Sequence, residues 1–182
     1  VNGAKRALAE AGKDLPILLQ VTVETNGTML VGSDIAAMAT TAAALDVPMM
    51  GLNCATGPQE MAPHVEWLGQ NWPGLIGVQP NAGLPQLVEG RTHYPLEAAE
   101  LATWMERFIE RDGVTFVGGC CGTGDGHLAA LGDGVEILAV HAPALEIDGI
   151  EAPGHQRRVC VRHFAFHLAE PLDHRLDAGQ AF

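Results

Sequence analysis

Between residues 15 and 131 the sequence alternates four times between a short apolar run and an amphipathic stretch of helical period. The apolar runs lie at 17–23, 48–52, 75–78 and 114–117, each of strand length and bounded by turn-forming residues. A strand can return parallel to its predecessor only through a crossover, and a helix is the usual crossover. The expected class is therefore α/β: parallel strand-helix repeats in an open sheet or in part of a barrel. Under that topology every loop that follows a strand opens on the same face, where α/β proteins build their sites.

Start and stop signals support these elements. Ser33 can cap a helix running to about Leu45, with Asp34 in its first turn. Pro58 sits at a first-turn position and is followed by Glu60, after which Met61, Val65 and Leu68 form one apolar stripe. Leu101, Met105 and Phe108 do the same for a later helix that Gly113 ends. The stretch 3–12 reads as the tail of a further helix. Trp67, Trp72 and Trp104 are expected to pack in the core or between helices.

Two of the loops carry cysteine. Cys54 follows the second strand in Gly51-Leu52-Asn53-Cys54-Ala55-Thr56-Gly57-Pro58, and Cys120-Cys121 follow the fourth in Val117-Gly118-Gly119-Cys120-Cys121-Gly122-Thr123. Three thiols on one face can hold zinc and leave its fourth tetrahedral position to a substrate. A single buried cysteine is more often a small core residue. Gly118, Gly119 and Gly122 allow the unusual backbone that two adjacent ligands need. The same glycines do not make a phosphate cradle, since no Gly-x-Gly-x-x-Gly register or P-loop lysine accompanies them. Asn53 can orient substrate or brace its loop, the second use being favoured. His64 falls on a helix, and His93 in a loop where a structural hydrogen bond is the simpler use. Cys160, His163 and His167 have metal-like spacing, yet strand alternation would put the cysteine opposite the histidines.

The net charge of −12, from 10 Lys and Arg against 22 Asp and Glu, argues against non-specific binding to nucleic acid or to an anionic membrane surface. No run reaches the ~18 apolar residues of a membrane span. Four cysteines are too few for a disulfide scaffold, which makes a reduced, cytoplasmic protein the expectation. With 182 residues the chain can bury a core but falls short of a full eight-unit barrel of ~250 residues. A start at Val1 inside a helical pattern suggests that sequence upstream is missing. Beyond Ala130 the character changes: residues 124–182 hold six of the eight histidines and no Ser, Thr, Asn, Lys, Tyr, Trp or Met. Asp148-Gly149 marks a hairpin there, and 158–168 reads as a strand. Such a stretch suits a separate small unit or a segment translated in the wrong frame.

The strings Gly-Leu-Asn-Cys-Ala-Thr-Gly-Pro at 51–58, Pro-Asn-Ala-Gly-Leu-Pro at 80–85 and Val-Gly-Gly-Cys-Cys-Gly-Thr at 117–123, with Thr92-His93-Tyr94-Pro95 between them, resemble one family. It is the homocysteine-binding (S-methyltransferase) domain of cobalamin-dependent methionine synthase, and the likeness spans residues 1–131. The resemblance implies the second half of a (β/α)8 TIM barrel, its last four strand-helix units, followed by a divergent tail at 132–182. It implies zinc on Cys54, Cys120 and Cys121, with Asn53, Gly118 and Gly119 near the substrate homocysteine. The methyl donor would be methylcobalamin, held with the folate-binding machinery outside this chain, and the first half of the barrel with its acidic residues would be absent. After Cys-Cys-Gly-Thr the family has Thr-Pro-Glu-His where this chain has Gly124-Asp125-Gly126-His127. Betaine or S-methylmethionine as donor, a truncated non-catalytic fragment, and a thiol redox protein using Cys120-Cys121 are the alternatives.

Overall fold

Short β-rich runs and longer amphipathic runs segregate into a main parallel sheet and helices packed against it. The computed structural model describes residues 1–134 and the two-residue strand Cys160–Val161. In chain order the elements are α1 (Asn2–Glu10), β1 (Leu18–Val21), α2 (Ile35–Ala44), β2 (Met49–Asn53), α3 (Pro58–Asn71), β3 (Leu75–Gln79), β4 (Gln86–Val88), β5 (Arg91–His93), α4 (Ala98–Asp112), β6 (Phe116–Val117), α5 (Asp125–Gly134) and β7 (Cys160–Val161). Strands β1, β2, β3 and β6 lie side by side in that order, all parallel, and β7 pairs parallel beyond β6. The α/β class with parallel strand-helix repeats is thus present. The hairpin expected around Asp148-Gly149, most of the 158–168 strand, and the histidines of the Cys160, His163, His167 grouping lie outside the described residues.

Alternation along the strands separates two faces. Met50 and Leu52 on β2 stand in register with Ile76 and Val78 on β3, and all four enter the main core. There they meet Val65 and Leu68 of α3 and Leu101, Met105 and Phe108 of α4, every one of these five with no exposed surface. Trp72 joins this core and donates its indole N–H to the Leu75 carbonyl at 3.2 Å, while Trp67 and Trp104 pack at its margin. The opposite face carries Gln20, Gly51 and Gly77 at matched register, then Asn53 beside Gln79, closer to the loops.

Local signals explain most boundaries. Gly113 ends α4 in a left-handed conformation, with φ 74° and its N–H on the Phe108 carbonyl. Pro58 is the first residue of α3, where a missing N–H costs no helical bond. The cap of α2 differs from expectation by one position. Asp34, not Ser33, is the N-cap, its carboxylate accepting the Ala37 N–H at 2.8 Å, while the Ser33 carbonyl closes the preceding turn on Met29. Asp34→Ala should therefore cost about 1 kcal/mol, read as a lowered thermal midpoint, and Ser33→Ala much less.

The 80–97 connection contains an unforeseen feature, the antiparallel hairpin β4-β5. Its turn residues Glu89 and Gly90 have φ of 50° and 77°, the left-handed pair that a two-residue hairpin turn requires.

A candidate metal centre at the strand ends

The site begins where β2 and β6 stop. After Asn53 the backbone turns sharply through Cys54 and Ala55, both left-handed at φ 61° and 56°. The Thr56 N–H closes this turn on the Cys54 carbonyl at 2.7 Å. Gly57 then caps α3 and donates its N–H to the Glu60 carboxylate at 3.1 Å. After β6 the Gly118 N–H bonds the Val78 carbonyl and the chain turns through Cys120 and Cys121 into Gly122, which is left-handed at φ 79°. The unusual backbone is thus carried by Gly122 on one side and, without any glycine, by Cys54 and Ala55 on the other.

The loop after β3 ties these two turns together although it supplies no sulfur. The Gln79 and Pro80 carbonyls accept the N–H groups of Cys54 and Cys120 at 3.1 and 2.9 Å. The Asn81 side-chain oxygen accepts the Cys121 N–H at 3.2 Å, and the Ala82 N–H returns to the Cys121 carbonyl at 2.9 Å. Asn81 is buried, so its backbone N–H also finds a partner, the Thr56 carbonyl at 3.1 Å.

This scaffold brings together the three cysteines that sequence spacing separates. The Cys54 and Cys121 sulfurs are 3.7 Å apart, those of Cys120 and Cys121 3.9 Å, and all three lie within 4.8 Å of one another. Zinc–sulfur bonds of about 2.3 Å at tetrahedral angles separate any two sulfurs by about 3.8 Å. The donor set and its spacing fit zinc. Cys54 and Cys120 are half-buried and Cys121 is exposed, which leaves one side of the cluster open. Burial, and after it the neighbouring Cys54 and Cys121, push the Cys120 thiol up to about 12. A metal cation bound by thiolates takes the place of their protons.

The other candidate residues are placed as follows. The Asn53 side-chain oxygen accepts the Thr22 hydroxyl at 3.3 Å. Gly119 packs against Thr123, whose hydroxyl donates to the Cys120 carbonyl at 2.7 Å. His93 is exposed in β5, and His64 on α3 is held below the usual imidazole range by burial. His127 braces α5: its Nδ1 accepts the Gly124 N–H at 3.2 Å, which leaves Nε2 to donate to the Leu96 carbonyl at 3.0 Å.

Three residues that periodicity did not single out belong to this neighbourhood. Asn81 and Tyr94 sit inside the quoted Pro-Asn-Ala-Gly-Leu-Pro and Thr-His-Tyr-Pro strings, which were the available signal. Gln79 is a polar residue closing an otherwise apolar strand, and its buried Nε2, like that of Gln20, has no partner among the described residues.

The homocysteine S-methyltransferase family model matches residues 1–135. Over 128 residues, 70% of this chain, the sequence is 47% identical to the methionine synthase of Mycobacterium leprae (strain TN). It is 48% identical over the same length to the methionine synthase of Mycobacterium tuberculosis (strain ATCC 25618 / H37Rv). In both cases it spans only 11% of the relative's own length. A parallel strand-helix fold that gathers three cysteines at its strand ends, together with a family match over most of its length, makes this chain a member of the homocysteine S-methyltransferase family.

Proposed function

We propose that this chain is the metal-bearing part of a methionine synthase, in which homocysteine is methylated on sulfur by methylcobalamin to give methionine. Residues 1–131 would be the last four strand-helix units of a (β/α)8 barrel and residues 132–182 a divergent tail. The observation that carries this reading is the set of sulfur separations, 3.7 and 3.9 Å, at the open ends of parallel strands. The name carried by the two mycobacterial relatives supports methionine as product.

A free thiol has a pKa near ~8.5 and is mostly protonated at neutral pH, whereas only the thiolate is a good nucleophile. Zinc on Cys54, Cys120 and Cys121 would supply the positive charge that keeps a substrate thiol deprotonated. The three cysteine thiolates offset that charge, so the substrate sulfur stays electron-rich enough to form a carbon–sulfur bond. As that bond forms, the bond between the methyl group and its donor breaks and its electron pair leaves with the donor. Asn53, Gly118 and Gly119 border the place of the substrate, with Asn53 also tied to Thr22. The unpartnered Nε2 groups of Gln20 and Gln79, on the sheet face away from the helices, are donors that a polar substrate can satisfy.

The test is methionine formation by this chain within a polypeptide that supplies the remaining barrel units, with homocysteine and each candidate donor in parallel. Turnover with methylcobalamin, lost on zinc removal and restored by zinc, is expected. Turnover with betaine or S-methylmethionine alone would reassign the donor. No turnover with any donor, despite bound zinc, would overturn the reading.

A further inference from the structure

His127 ties the cysteine-bearing turn to the end of the 80–97 connection through the two nitrogens of one ring. Its Nδ1 accepts the Gly124 N–H at 3.2 Å, which puts the ring proton on Nε2, and Nε2 donates to the Leu96 carbonyl at 3.0 Å. Leu96 follows Pro95, which has no N–H, and its own N–H reaches the Ala82 carbonyl at 2.9 Å. The Ala82 N–H in turn reaches the Cys121 carbonyl at 2.9 Å. These bonds close a ring, from Cys121 through Ala82, Leu96 and His127 to Gly124 and back along the chain. Tyr94 lies over that stretch of chain at Gly122, where a side-chain carbon would coincide with the Tyr94 Cβ and ring.

The three cysteines depend on this ring unequally. Cys54 donates its N–H to the Gln79 carbonyl and accepts the Thr56 N–H within one tight turn. Cys120 donates to the Pro80 carbonyl, and its own carbonyl accepts both the N–H and the hydroxyl of Thr123, at 3.2 and 2.7 Å. The Cys121 backbone bonds to Asn81 and Ala82, and its side chain is exposed, so packing does little to fix it.

We propose that His127 is a positioning residue for the metal centre, which by holding the Leu96 carbonyl keeps Ala82, and through Ala82 the ligand Cys121, in place. The inference rests on the metal-bearing role argued above. Groups that orient ligands from outside the coordination sphere typically govern metal affinity.

Two substitutions separate the two bonds of the ring. Asn puts its side-chain oxygen where Nδ1 stands and keeps only the Gly124 bond, whereas Gln puts an amide nitrogen where Nε2 stands and keeps only the Leu96 bond. Zinc affinity of the full chain would be measured by chelator competition. His127→Asn is expected to lose about 10-fold, and His127→Gln to stay close to the unaltered chain. Each variant gives up one bond, so the difference between them reads the Leu96 bond and not a general loosening. In a Cys121→Ser background, read on the weak binding that two cysteines leave, His127→Asn should add no further loss, because the ligand through which it acts is gone. Unchanged affinity in His127→Asn, an equal loss in His127→Gln, or an equal further loss without Cys121 would overturn this proposal alone. An unaltered chain that binds no zinc would overturn both this inference and the role on which it rests.

Discussion

Cys54→Ser is expected to abolish stoichiometric zinc binding by the reduced chain, with affinity falling by at least about 100-fold. Serine keeps the size of the side chain and tolerates the local backbone no worse than cysteine, so the change isolates the sulfur. A hydroxyl at neutral pH is protonated and hard, a poor substitute for a thiolate on a borderline-soft metal. Cys121→Ser should behave alike, because its sulfur is the one within 4 Å of both others. Zinc content after dialysis, measured by metal analysis beside the unaltered chain, decides the matter. Equal zinc in all three proteins would place the metal elsewhere.

Gly51→Ala is expected to destabilise the chain by about 3 kcal/mol, at the upper end of what one inserted carbon costs. The added Cβ would land on the carbonyl and Cα of Gly77 in the adjoining strand, and backbone in a paired sheet cannot move aside. Gly77→Ala is the control, though it lies across from Gly51 in the same register. Its Cβ would meet only side-chain ends, Leu18 Cδ1 at 3.3 Å and Phe116 Cδ1 at 3.4 Å, which can rotate. Urea unfolding of both variants should give a large shift for the first and a small one for the second. Similar shifts would mean that the two strands do not approach as closely as described.

Much of this was legible in the sequence because the relevant signals are local. The buried stripe Met61, Val65, Leu68 and its counterpart Leu101, Met105, Phe108 follow helical spacing and are buried as expected. Strand limits were less legible. The run at 17–23 pairs only over Leu18–Val21, since pairing is decided by the neighbouring strand, although Val23 remains in the core. The α2 cap lies one position from its sequence expectation because Ser33 and Asp34 are both good caps, and only the preceding turn decides between them. Hairpin β4-β5 carries no strong sequence signal because its turn is Glu-Gly rather than Asn-Gly or Asp-Gly and its arms are three residues each. At the site, the cysteines announced themselves by falling at strand ends. Asn81 and Tyr94 act through contacts with residues about 30 to 40 positions away, which no local pattern encodes.

The backbone at Cys54 has a consequence for which metals this position could come to serve. Its φ of 61° suits Asn, Asp and His better than other side chains that carry a Cβ. Of those, Asp and His are metal ligands that favour harder or more nitrogen-loving ions. A redesign for a cobalt or manganese centre can therefore enter at position 54 by Asp or His without rebuilding the turn. Glutamate has a similar carboxylate but lacks the short side chain that settles into the left-handed region, so the route by way of Glu is the costlier one.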